Sequence, residues 1–310
     1  MLEISKISAI FLVCILIGFT TGLVEPSYLV WFKPYLTFLL GIIMFSMGLN
    51  LENSDFNQVI HLKVKILLII IIKYLAMPIL SFTLGKLFNL SQDQLIGLVL
   101  VSACPGGMAS SVMSYLSKAN IALTIIMTFV TTLVAPIITP LIMYLFFHKY
   151  IHIEALKMFT TVFTVVIFPV SLGLFVKKLF NNSINSIKPY TPFISMLAIG
   201  LLIGCITGLN RELIFQMPLS LSCVVLISNL CGILVGYIVS WRLFFGKNNY
   251  NNYAVAFEFG IQDSGLAVVL AYKFFSGAAM LAGVIYSICE NITGAILIRL
   301  LPKIVHQIQE

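Results

Sequence analysis

Two stretches decide the fold: Cys104-Pro105-Gly106-Gly107-Met108-Ala109-Ser110-Ser111 in one long apolar run, and Glu258-Phe259-Gly260-Ile261-Gln262-Asp263-Ser264-Gly265 in another. Each puts helix-weakening residues in the middle of a segment otherwise apolar enough to cross a bilayer. Proline removes a backbone donor and glycine weakens a helix, so both segments are expected to break partway. Gly106 and Gly260 lie about half of the 310 residues apart. Interrupted helices at corresponding positions of two halves point to a transporter built from inverted repeats, with its site near the midplane. Glycine and proline are common in membrane helices at large; the carboxylates at the second break add the weight that kinks alone lack.

The composition supports a membrane setting. Hydrophobic residues make up 60% and charged residues 9% of the chain, and the mean hydropathy is +1.07. A soluble domain carries roughly 25% charged residues, so soluble enzymes, nucleic-acid binders and secreted disulfide scaffolds are poor readings. A bilayer core of about 30 Å needs roughly 20 apolar residues in a helix. Seven uncharged runs meet this: Ile7–Val24, Pro34–Leu51, Gln94–Ser117, Ala119–Phe147, Met158–Val176, Pro189–Asn210 and Leu213–Trp241. Three more enclose charges: Ile66–Leu84 around Lys73, Tyr250–Tyr272 around Glu258 and Asp263, and Phe274–Ile298 around Glu290. The expectation is an all-α polytopic membrane protein of ten spans. It forms a single transporter domain, with repeat one at about 1–150 and repeat two at about 151–310. The first span lacks a small-x-small cleavage site and reads as a membrane helix rather than a signal peptide, and no appended soluble domain is expected.

The net charge of +7 is topological. With both termini in the cytoplasm, eleven basic residues, Lys6 and Lys188 among them, fall inside and six fall outside (Lys33, Lys86, Lys149, Lys157, Arg211 and Lys273), as the positive-inside rule requires. This places the chain in a cell (inner) membrane, crossing it many times. The six cysteines lie in apolar runs without metal or redox spacing, and the four histidines lie in loops or the tail. No HExxH, nucleophile elbow or P-loop occurs, so neither an enzyme nor an ATP-driven pump has a supporting motif.

The breaks suggest cation chemistry. Unwound backbone exposes carbonyls to cations, and half-helix N-termini favour anions. Glu258 at membrane depth costs several kcal/mol unless neutralised, and a bound cation would neutralise it. Ser110 and Ser111 follow the first break, and Thr124 and Thr128 share one face of the next span at i, i+4 spacing. With Glu258 they would make an all-oxygen set fit for Na⁺. Membrane Ser and Thr also commonly bond to their own backbone or across helices, and that reading stands beside the first.

CPGGMASSVMSYLSKANIALT followed by FEFGIQDSGLAVVLA resembles the bile acid:sodium symporter family, in particular its bacterial ten-helix members. The resemblance implies two inverted five-helix repeats. A panel domain comes from spans 1, 2, 6 and 7; a core domain comes from spans 3–5 and 8–10, with the broken fourth and ninth helices crossed at its centre. It implies cation-coupled uptake of an organic anion by alternating access. Carried over by position, the first Na⁺ site falls on Ser110, Ser111, Thr124, Thr128 and Glu258. The second falls on Glu258, Phe259, Ile261 and Gln262, with a third-span side chain that the family commonly supplies as Gln.

At that third-span position this sequence has Lys73, and an ammonium cannot ligate Na⁺. Three roles are open: a tethered cation filling the second site, paired with Glu258 or Asp263; a group that couples transport to H⁺, since a buried lysine changes protonation readily; or an inert ion pair. The expected stoichiometry is one Na⁺, or none, in place of two.

The resemblance puts the substrate beside the crossover, near Met108, Ala109, Asp263, Ser264, Gly265, Glu290 and Asn291. Glu290 is awkward for an anion carrier. A small carboxylate is as good a candidate as a sterol acid. The implied partners are this small organic anion and the lipid bilayer, with no nucleic acid and no obligatory protein partner. Alternatives are a proton-coupled or sodium-independent organic anion transporter using Lys73, a cation/proton antiporter, and a non-transporting receptor.

Overall fold

The computed structural model describes residues 2–180, 190–215, 219–247 and 249–309. Lys188 and the start of the seventh span at Pro189 lie outside the described residues. Twelve principal helices run α1 (Leu2–Val24), α2 (Leu36–Asn50), α3 (Lys63–Leu87), α4 (Gln92–Ser102), α5 (Ala109–Leu116), α6 (Ile121–Phe147) and α7 (Ala155–Leu179). They continue as α8 (Thr191–Leu209), α9 (Leu219–Phe245), α10 (Tyr250–Gly260), α11 (Ser264–Phe274) and α12 (Gly277–Gln309). Among the described residues, five helical stretches are long and apolar enough to cross a bilayer: Ser54–Leu87, Ile121–Phe147, Ala155–Leu179, Leu219–Phe245 and Gly277–Ile298. Shorter apolar helices lie at Val13–Val24, Phe193–Leu209 and Ser264–Phe274. The chain is an all-helical, multi-pass membrane protein.

Helix α3 shows how the sequence sets its orientation. Ile66, Ile69, Ile70, Lys73, Tyr74, Met77 and Ser81 repeat at helical spacing and are buried, while Leu67, Leu68, Ile71, Leu75 and Ile79 are exposed. A helix apolar on both faces suits a protein core on one side and lipid on the other. Lys73 therefore points inward, and it is fully buried.

The helices pack in two groups. Helix α1 lies against α8 so closely that a Cβ on Gly18 would sit 2.1 Å from the Gly200 carbonyl oxygen. Helix α2 lies against α7 through Gly48 and Gly173 in the same manner, as small residues allow in membrane helix pairs. In the other group α9 packs on α10 and α3, while α12 packs on α11, α4 and α9.

Both expected breaks are present. The apolar run Gln94–Ser117 is interrupted between Ser102 and Ala109, giving α4 and α5. The run Tyr250–Tyr272 is interrupted over Ile261–Asp263, giving α10 and α11. Glu258, which the sequence placed in the second break, stands instead on the last turn of α10.

Candidate functional site

The two unwound segments satisfy each other. Gly106 and Gln262 form an antiparallel bridge; the Gly107 N–H donates to the Ile261 oxygen at 3.0 Å, and the Asp263 N–H to the Pro105 oxygen at 2.8 Å. Backbone at membrane depth has no water to bond with, so each break can exist because the other supplies its partners.

Glycine is required at the crossing for space. A Cβ on Gly106 would lie 2.1 Å from Glu258 Oε1, and one on Gly107 would lie 2.4 Å from the Gln262 oxygen. The Glu258 carboxylate thus rests directly on the backbone of the first break.

Glu258 is fully buried and lies at the C-terminal, negative end of α10, the end that disfavours a carboxylate. Its oxygens are met from three helices. The Lys73 ammonium of α3 donates to Oε1 at 3.1 Å, and Thr131 of α6 lies 3.2 Å from the same oxygen. On Oε2, Thr128 of α6 donates at 2.7 Å and Ser110 of α5 lies at 3.4 Å. Ser110 and Thr128 are 3.3 Å from each other. Ion pairing plus neutral donors on every side is what an ionised pair needs in a low-dielectric interior.

The residues assigned to the first Na⁺ site divide into three positions. Ser110, Thr128 and Glu258 come together. Thr124 is one turn away, 2.7 Å from Ser114, which stands a turn beyond Ser110 on α5. Ser111 is turned aside: its hydroxyl donates to the Met108 oxygen at 2.8 Å. Thr131 was missed by the sequence reading, although it continues the Thr124–Thr128 face of α6 and also accepts from the Gly106 N–H at 3.2 Å.

At the second set, the Gln262 amide donates to the Phe259 oxygen at 2.6 Å, and the Ile261 oxygen takes the Gly107 N–H. Lys73 pairs with Glu258; Asp263 instead caps α11, accepting from the Leu266 N–H at 3.0 Å. Gln262 Oε1, though buried, finds no partner among the described residues.

The residues assigned to substrate lie along the same crossing. Glu290 is 3% exposed and accepts at both oxygens, from the Gln262 N–H at 2.9 Å and from the Ser264 hydroxyl at 2.9 Å. Asn291 donates to the Ser287 oxygen at 2.6 Å, and it does not line the cavities described next. Two adjoining cavities of about 160 Å³ and 40 Å³ open in front of the crossing. They share Met47 of α2, Ile199 of α8, and Met108 and Ala109 at the start of α5. The larger also touches Ser111 and Thr128; the smaller touches Asp263, Ser264, Gly265 and Glu290. Both are bounded on one side by α2 and α8 and on the other by the broken helices.

A multi-pass helical protein with two broken helices crossed over buried charge, facing a cavity between two packed groups, has the build of a membrane transporter. Comparison with known proteins agrees. Residues 37–217 match the Sodium Bile acid symporter family. The uncharacterized sodium-dependent transporter YocS of Bacillus subtilis is 33% identical over 277 residues, 89% of this chain and 85% of that protein. The probable sodium/metabolite cotransporter BASS1, chloroplastic, of Arabidopsis thaliana is 30% identical over 293 residues, 94% of this chain and 73% of its own length. The chain belongs to the sodium bile acid symporter family, and it is a transporter rather than an enzyme.

Proposed function

We propose that this protein is a secondary active transporter that moves a small organic acid by alternating access, coupled to one Na⁺, with Lys73 standing in place of a second. The observation that carries the reading is the position of Thr128. It lines the larger cavity and donates to Glu258 at 2.7 Å, so an ion at Glu258 and a substrate in the cavity share a side chain. Ser110, Thr128 and Glu258, with Ser114 and Thr124 a turn away, are hard oxygen donors of the type a hard cation takes. Turning the Ser110 and Thr128 hydroxyls would present their lone pairs to Na⁺ beside Glu258 Oε2.

Lys73 occupies the Oε1 side. Its ammonium lies 3.1 Å from that oxygen, so a second cation placed there would meet a like charge. In this reading ten spans form two inverted repeats, at about 1–150 and 151–310. The group built on α1, α2, α7 and α8 is the panel, and the remainder is the core that moves against it. Both termini are cytoplasmic, and the protein resides in a cell (inner) membrane.

Sodium-driven uptake into proteoliposomes, measured with an imposed Na⁺ gradient and again with an imposed pH gradient, tests the coupling. The expected result is uptake driven by Na⁺ and lost in Glu258→Gln. Uptake that follows the pH gradient alone, and is lost in Lys73→Gln, would replace sodium coupling by proton coupling through the Lys73–Glu258 pair.

A further inference from the structure

We infer that the transported acid also carries an ammonium or similar donor group, and that Glu290 with Asp263 selects for it. The inference rests on the organic-acid reading above and narrows it.

The two half-helix N-termini at the crossing are not equivalent. At α11 the chain's own acids take several donors: Asp263 takes the Leu266 N–H, and Glu290 takes the Gln262 N–H and the Ser264 hydroxyl. A substrate carboxylate arriving there would compete with two acidic side chains for these donors. At α5 no side chain caps the helix. Among the described residues the N–H groups of Met108 and Ala109 meet no acceptor, and both residues line both cavities. The helix dipole and these open donors favour an anionic group at this end.

The other end of the same space has the opposite character. The smaller cavity is lined by Asp263 and Glu290 and by no lysine or arginine. Lys73 is committed to Glu258. Gln262, 1% exposed and also in the lining, has a side-chain oxygen with no partner. A buried acceptor without a donor carries a desolvation cost, and a ligand that brings a donor removes it. Two carboxylates and an orphan acceptor facing the open N-terminus of α5 complement a zwitterion: carboxylate towards Met108 and Ala109, ammonium towards Asp263, Glu290 and Gln262.

The test is ligand-dependent thermal unfolding of the full chain in detergent at fixed Na⁺. The probes are matched sets of three to six carbons: the amino acid (α- or ω-amino), the carboxylate lacking the amine, and the amine lacking the carboxylate. The amino-bearing acid of at least one set is expected to stabilise at a concentration at least about tenfold below its des-amino partner, the factor that one charge-assisted bond provides. Glu290→Gln should narrow that gap about tenfold. Asp263→Asn, which keeps the cap, should narrow it too and serves if the first variant does not fold. Des-amino carboxylates that stabilise as well as the amino acids would overturn the inference and leave the organic-acid reading intact. Amines that stabilise without any carboxylate would overturn both.

Discussion

The two breaks divide one task unequally. The first, from Ala103 to Met108, carries no charged side chain and supplies space: Gly106 and Gly107 let a carboxylate and a carbonyl from the second break approach where a Cβ would collide. The second supplies charge, with Glu258 before it, Asp263 at its end and Glu290 reaching in from α12. Crossed half-helices of similar outline are therefore not interchangeable. One N-terminus has no side-chain cap, and the other is capped and flanked by the chain's own acids.

The comparison breaks most visibly if charge is removed from the second break. Glu258→Ala leaves the Lys73 ammonium buried and unpaired. It is expected to cost about 3–5 kcal/mol of stability and to abolish coupled uptake. Adding Lys73→Met should restore most of the stability and none of the sodium dependence. A double variant as unstable as Glu258→Ala alone would remove the ion pair from the account. Next comes the loss of space in the first break. Gly106→Ala drives a methyl into Glu258 and is expected to cost at least the 1–3 kcal/mol typical of overpacking. Chemical denaturation or thermal melting in detergent would show it, and a variant as stable as the parent would mean that the crossing is looser than drawn.

Smaller effects sharpen the ligand set. Thr131→Val removes the acceptor of the Gly106 N–H and a group 3.2 Å from Glu258 Oε1. About 1–3 kcal/mol of destabilisation is expected. Ser111→Ala, which removes a half-buried hydroxyl bonded within its own turn, is expected to change stability by no more than about 1 kcal/mol. It should also leave the Na⁺ dependence of uptake near that of the parent, whereas Ser110→Ala weakens it. Equal loss in the two serine variants would return Ser111 to the ion site.

Much of this was legible in the sequence. Composition and uncharged runs gave the membrane setting, because lipid leaves few other uses for such segments, and Pro105-Gly106-Gly107 marked the first break by backbone chemistry. Glu258 was visible as an expensive charge. What escaped was geometry across helices. Nothing local separates Ser111 from Ser110, since only the rotation of α5 turns one to Glu258 and the other to the cavity. Thr131 could have been found by extending the Thr124–Thr128 face by three residues. Glu290 reads from sequence as an obstacle to an anion. Its actual bonds, to the backbone of Gln262 and the hydroxyl of Ser264, depend on a contact between elements 26 to 28 residues apart that no periodicity encodes.

Lys73 is proposed to take the place of a second sodium ion. Thermal unfolding against Na⁺ concentration, at ionic strength held with choline, addresses it without knowledge of the substrate. A ligand that binds only the folded state stabilises by RT ln(1 + [L]/Kd), about 2.7 kcal/mol at 100 times Kd, so the slope at saturating Na⁺ counts ions. The expected result is a one-ion slope for the parent that disappears in Glu258→Gln, and a steeper, two-ion slope for Lys73→Gln. A two-ion slope in the parent, or no steepening in Lys73→Gln, would contradict it.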